Sequence, residues 1–135
     1  VSVVSADWVV PVEAEPIAGG AVAIAGDGTI AEVGTIAELG RGEHHPESVI
    51  VPGLVNAHSH LEYAVYAGFG DGSPFTPWLR THIERKGRLD DEAALAIARL
   101  GAAESLAAGV TTTADYSYTG AAAVACAELG LRAIV

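Results

Sequence analysis

The first 50 residues alternate short apolar runs with turn residues, a pattern that predicts strands. Residues 1–5 and 8–12 read as two strands, and 21–25 with 29–33 as a hairpin around Gly26-Asp27-Gly28. Residues 35–39 fit one helical turn or a loop, 41–48 a polar connection, and 49–51 a return to strand.

The period changes after Pro52-Gly53. A strand-like run reaches His60, and the Gly-rich, aromatic stretch 62–74 reads as a long loop. A helix begins at Pro74 or Pro77 and runs towards Lys86, where Gly87 interrupts it. Asp90 is a good N-cap, and Asp91 and Glu92 suit the positive end of the helix dipole. Leu95, Ala98, Ala102 and Leu106 recur at helical spacing, with Gly109 placed as the stop. A strand over 110–116, a helix over 121–129 ending at Gly130 and a strand over 132–135 follow. This β-α-β-α-β order demands a parallel sheet with right-handed crossovers.

Composition narrows the function classes. The 135 residues fall in the one-domain range, and 50% hydrophobic content is ample for a core. Seven basic against seventeen acidic residues give a net charge of −10, which argues against nucleic acid and anionic membranes as partners. Cys126 is the only cysteine, so an internal disulfide or a cysteine zinc cluster is excluded. There is no apolar run of about 20 residues and no basic start leading into an apolar one, so a cytoplasmic address is expected.

The chemistry concentrates at His58-Ser59-His60. In an extended strand, side chains at i and i+2 share a face, roughly 6.5–7 Å apart. Leu54, Asn56, His58 and His60 would then line one face, with Val55, Ala57 and Ser59 on the other. Two imidazoles so placed can lean onto one ion, since Zn–N bonds are about 2.0–2.1 Å. The competing reading is a pair of solvent or hydrogen-bonded structural histidines. The punctuation at Pro52-Gly53 and the location at a strand's C-terminal end favour the metal half-site.

The string Val51-Pro52-Gly53-Leu54-Val55-Asn56-Ala57-His58-Ser59-His60 resembles the first barrel strand of the amidohydrolase superfamily. The resemblance extends to 22–34, similar to the small β-domain before the barrel, and to 108–115, similar to the second barrel strand. It points to the branch of cytosine, guanine and adenosine-derivative deaminases and chlorohydrolases, and His58-Ser59-His60-Leu61-Glu62 also resembles aminodeoxyfutalosine deaminases. The implied fold is α/β: residues 1–50 as part of a small β-sandwich and 51–135 as the first strands and helices of a (β/α)8 TIM-type barrel. A whole barrel needs about 250 residues. With no Met and a strand-like end at 132–135, the chain reads as an N-terminal fragment, lightly trimmed at its start.

The resemblance implies one divalent ion, Zn with Fe as the alternative, held by His58 and His60. It also implies hydrolytic deamination of an amino-substituted heterocycle, in which activated water attacks the ring carbon and ammonia leaves. The other ligands and the acid/base groups would come from later strands, so no catalytic residue is expected within this chain, and it is expected to be inactive alone. The alternatives are a chlorohydrolase, a cyclic-amide hydrolase, or a non-catalytic barrel homologue serving as a scaffold. A small-molecule substrate and a homo-oligomer of the full-length protein are the expected partners.

Three residues are substrate-site candidates. Glu62 reads as a carboxylate positioning the substrate or a liganding imidazole, or as a loop acid in solvent. Trp78, in Phe75-Thr76-Pro77-Trp78-Leu79, resembles a pocket-bordering element and could stack on a flat ring or pack in the core. Thr76 and Pro77 stand where nucleoside-acting relatives often carry a ribose-gripping Glu. Asp115, ending a strand at the functional face, could orient a ligand or the substrate, or hold structure. Arg80, Arg85, Lys86 and Arg88 read as a solvated helix face, and His82 as exposed or capping. His44-His45 are not expected to bind metal, Thr111–Thr113 need no function, and Cys126 reads as a small buried residue.

Overall fold

Strand β1 (Ser2–Val9) is the element around which the N-terminal residues assemble. The computed structural model describes residues 1–135 and separates into two units, Val1–Pro52 and Gly53–Val135. In the first, β1 pairs antiparallel with β2 (Ile17–Ala18) at one end and with β3 (Gly20–Ile24) at the other. β4 (Ile30–Thr35) extends this ladder from β3, and α1 (Ile36–Leu39) is a single turn after it. β5 (Glu43–Ile50) pairs parallel with β1.

All five strands belong to one curled sheet, where the family resemblance implied part of a sandwich. The two strands expected over 1–5 and 8–12 are one, with a register shift between Ala6 and Trp8. The polar stretch 41–48 is mostly strand, because backbone pairing with β1 outweighs its polar composition.

The second unit carries a parallel sheet in the order β6 (Leu54–Ser59), β7 (Val110–Asp115), β8 (Arg132–Ile134). A 3₁₀ helix (Leu61–Tyr66) follows β6 directly, so the stretch expected as loop is partly ordered into turns. Helix α2 (Phe75–Lys86) comes next, then α3 (Asp91–Ala107) and, after β7, α4 (Ala121–Leu129). The Asp90 side chain caps α3 by accepting from Ala93 N at 2.8 Å. Gly109 and Gly130, at φ 81° and 75°, close α3 and α4 in the left-handed conformation that glycine adopts without strain. No helix is long and apolar enough to cross a membrane.

The core of this unit is built from small side chains. Ala94, Ala98 and Ala102 of α3 meet Ala121, Ala122, Ala125 and Cys126 of α4, with Leu61 and Leu131 beside them. Arg99 and Glu128 tie the two helices outside the core with a pair of hydrogen bonds, 2.7 and 2.8 Å long.

In this unit the nearest approach of a glycine to another segment's backbone is at Gly101. A Cβ there would lie 2.7 Å from Leu61 O and 3.1 Å from Leu61 Cα. Glycine inside a helix costs about 1 kcal/mol relative to alanine, yet here alanine would drive α3 off the backbone that follows His60. Gly101→Ala should therefore lower stability by about 1–3 kcal/mol in denaturant unfolding, despite its better helix propensity. Gly26→Ala, with open space around the position, should be near neutral in the same measurement.

Candidate functional site

The site forms where β6 and β7 end. Asn56 pairs with Thr113 and Ser59 with Asp115, so three steps along β6 match two along β7. That irregularity frees the His58 amide from the ladder, and it donates to Asn56 Oδ1 at 3.2 Å. Bulges re-aim side chains, and here the His58 and His60 rings converge to a centroid separation of 4.9 Å, edge to face. His60 lies just past the strand, at the start of the 3₁₀ helix.

The His60 ring is oriented by its neighbour strand. Its Nδ1 lies 3.0 Å from the carbonyl oxygen of Tyr116. A carbonyl only accepts, so Nδ1 carries a proton, and in the neutral ring Nε2 keeps its lone pair. This is the arrangement that metal-bound imidazoles use. Two converging imidazoles, one fixed in the ligating tautomer, fit half of a divalent-ion site. No cluster of three or more His, Cys, Asp or Glu suited to a metal occurs in the chain.

Asp115 holds the residues on both sides of His60, Ser59 by its hydroxyl and Leu61 by its amide. Its Oδ2 accepts from Ser59 Oγ at 2.7 Å and from Leu61 N at 2.8 Å. Ser59 Oγ in turn accepts from Thr113 Oγ1 at 2.6 Å, so the buried threonine hydroxyl is satisfied through it. Asp115 is 7% exposed, and its Oδ1 has no hydrogen-bond partner. Burial, with the charge of Asp115 added, pushes the Cys126 thiol up.

Glu62 reaches the opposite way. It is 3% exposed and accepts from Thr119 Oγ1 at 2.9 Å, Tyr118 N at 3.2 Å, Thr119 N at 3.3 Å and the Ser117 hydroxyl. Burial alone would raise its carboxyl, but these bonds together hold it below the ordinary range. Ser117 and Thr119 hydroxyls accept in turn from Gly120 N at 2.9 Å and Ala121 N at 3.2 Å, completing the entry to α4.

Aromatic rings surround His60. Tyr63, Tyr116 and Tyr118 have centroids 5.2, 6.0 and 6.4 Å from it. Burial, followed by the neighbouring Tyr118 and Glu62, pushes the Tyr63 phenol up. Lys86 lies over the Tyr118 ring and 5.6 Å from the centroid of Tyr63, and burial pulls its ammonium down. Trp78 is half-buried against Phe75 and His82, with centroids 6.0 and 4.1 Å away.

Two expectations change. His82 is 2% exposed rather than on the surface. Its Nδ1 donates to Trp78 O at 2.9 Å, and Tyr66, Phe69 and Trp78 enclose the ring. The basic run is mostly a solvated face: Arg80, Arg85 and Arg88 are exposed, Arg88 pairs with Glu84 and Arg85 sits 4.2 Å from the Phe69 centroid, but Lys86 turns to the tyrosines. His44 and His45 lie on β5.

The family model of the amidohydrolase family matches residues 49–135. The chain belongs to the amidohydrolase family. A 5'-deoxyadenosine deaminase of Methanopyrus kandleri is 41% identical over 91 residues, covering 66% of this chain and 21% of that protein. A 5-methylthioadenosine/S-adenosylhomocysteine deaminase of Saccharophagus degradans is 33% identical over 141 aligned positions, covering 97% and 32%. The chain thus spans about a third or less of these relatives. An adenosine deaminase from Xanthomonas campestris, solved with bound zinc, superposes with a TM-score of 0.80 at 30% identity, covering 98% of this chain and 33% of that one. Within this amidohydrolase, sequence reading missed Ser59, Tyr63, Tyr116, Ser117, Tyr118 and Thr119. The available signal was position, since the Tyr-Ser-Tyr-Thr run directly follows β7, at the strand end where α/β proteins bind ligands.

Removing the Asp115 carboxylate strands Leu61 N in a buried setting. Asp115→Ala should cost about 2–3 kcal/mol in denaturant unfolding, as expected for a lost hydrogen bond to a charged group. Asp115→Asn keeps one oxygen able to accept both bonds and should cost clearly less.

Proposed function

We propose that this chain is the metal-anchoring part of a hydrolytic deaminase acting on an amino-substituted heterocycle of the adenosine-derivative class. Water replaces the amino group at a ring carbon, and ammonia leaves. The observation that carries the reading is the His58–His60 pair, with His60 Nε2 left free by the Nδ1 bond to Tyr116 O. The names of the relatives as deaminases, and the zinc bound in the adenosine deaminase, support it.

In this reading residues 51–135 begin a (β/α)8 barrel in a cytoplasmic enzyme, and 1–50 are one part of a β-sandwich. His58 and His60 would hold one zinc ion. Such an ion, when bound, supplies Lewis acidity that activates water near neutral pH. Catalytic zinc sites use three protein ligands, so further ligands join these two. Asp115 and Glu62 set the geometry around His60, and the Tyr63, Tyr118 and Trp78 rings offer flat surfaces on which a heterocycle stacks.

Metal analysis of the intact protein tests the assignment. Both His58→Ala and His60→Ala should lose bound zinc and lower deamination of 5'-deoxyadenosine by several orders of magnitude while remaining folded. Full zinc stoichiometry in either variant would overturn it. Purified residues 1–135 should show no turnover.

A further inference from the structure

We propose that Glu62 is a positioning residue for His60, acting through the turn after β7. The inference rests on the metal reading above and extends it to a group that touches neither metal nor substrate.

Three observations connect the two residues. Glu62 receives all its bonds from Ser117, Tyr118 and Thr119. The Tyr116 carbonyl that takes the His60 Nδ1 proton immediately precedes that segment. Tyr116 N itself donates to Ser59 O at 3.0 Å, so the peptide before the turn is tied to β6 while the turn is tied to Glu62. The Tyr116 carbonyl is therefore held from both sides. Glu62 lies two residues after His60 and grips the turn whose first carbonyl faces the ring, closing a loop of contacts back onto the imidazole. A neutral imidazole has one N–H, and which nitrogen carries it follows the better acceptor. With the turn released, the Nδ1 proton loses its fixed acceptor and the ligating lone pair is no longer reserved on Nε2.

The test uses the intact protein with metal removed, at a pH where imidazole is neutral. Long-range nitrogen–proton NMR correlations report the His60 tautomer, and competition with a chromophoric chelator reports zinc affinity. The wild type should show the Nδ1-protonated form. Glu62→Ala should give mixed tautomers and bind zinc about 10- to 100-fold more weakly, the usual effect of losing an orienting partner. Glu62→Gln keeps an accepting oxygen and should recover most of the affinity.

A merely structural role would lower the melting temperature of Glu62→Ala and leave tautomer and affinity unchanged, which would overturn the proposal. The Ser117→Ala/Thr119→Val double variant keeps Glu62 but removes two of its donors, and serves if Glu62→Ala does not fold. It should shift both readouts the same way, and no shift would equally overturn the proposal. If His60→Ala retains full zinc, the ligand assignment fails instead, and the tautomer readout alone decides the role of Glu62.

Discussion

Two buried carboxylates cross between the ends of β6 and β7, and the site depends on that exchange. Glu62, just after β6, is bonded by the turn that follows β7. Asp115, the last residue of β7, is bonded by the residues flanking His60. A buried charge without partners is expensive, and several hydrogen bonds are needed to offset it. Separating the strand ends would strand both carboxylates at once. The two histidines are thus held by side-chain bonds added to the hydrogen bonds of two short parallel strands.

That constraint also places the aromatic surroundings. Tyr118 is one of the residues that Glu62 holds and Tyr116 directly precedes them, so their rings meet His60 and Tyr63 from a fixed turn. Lys86, at the end of α2, lays its cation over Tyr118 and Tyr63. An acidic, a cationic and several π groups therefore occupy the same strand ends, which is the mixture that orients a polar, flat solute.

Much of this was legible in the chain because it is local. The Asp90 cap, the Gly109 and Gly130 stops and the buried Ala98 and Ala102 of α3 act within a few residues, and each falls where periodicity and capping chemistry put it. The histidine pair was legible for the same reason. What stayed hidden is non-local. The polar segment of β5 is a strand only because β1 offers it a partner. His82 is buried only because the Gly-rich stretch before α2 folds its aromatics over it. Ser117 and Thr119 look like ordinary loop hydroxyls until a carboxylate some 55 residues earlier in the chain meets them.

The contact of Gly101 with the Leu61 backbone has a further consequence. Alanine and glycine have no rotamers to lose, so packing α3 against α4 beneath the site costs little side-chain entropy. Nor can such a floor loosen by rotamer exchange as temperature rises. Leu61, beside His60, can shift towards α3 only if the helix backbone shifts with it. Motion of the backbone beside the imidazole is thereby coupled to the collective motion of α3.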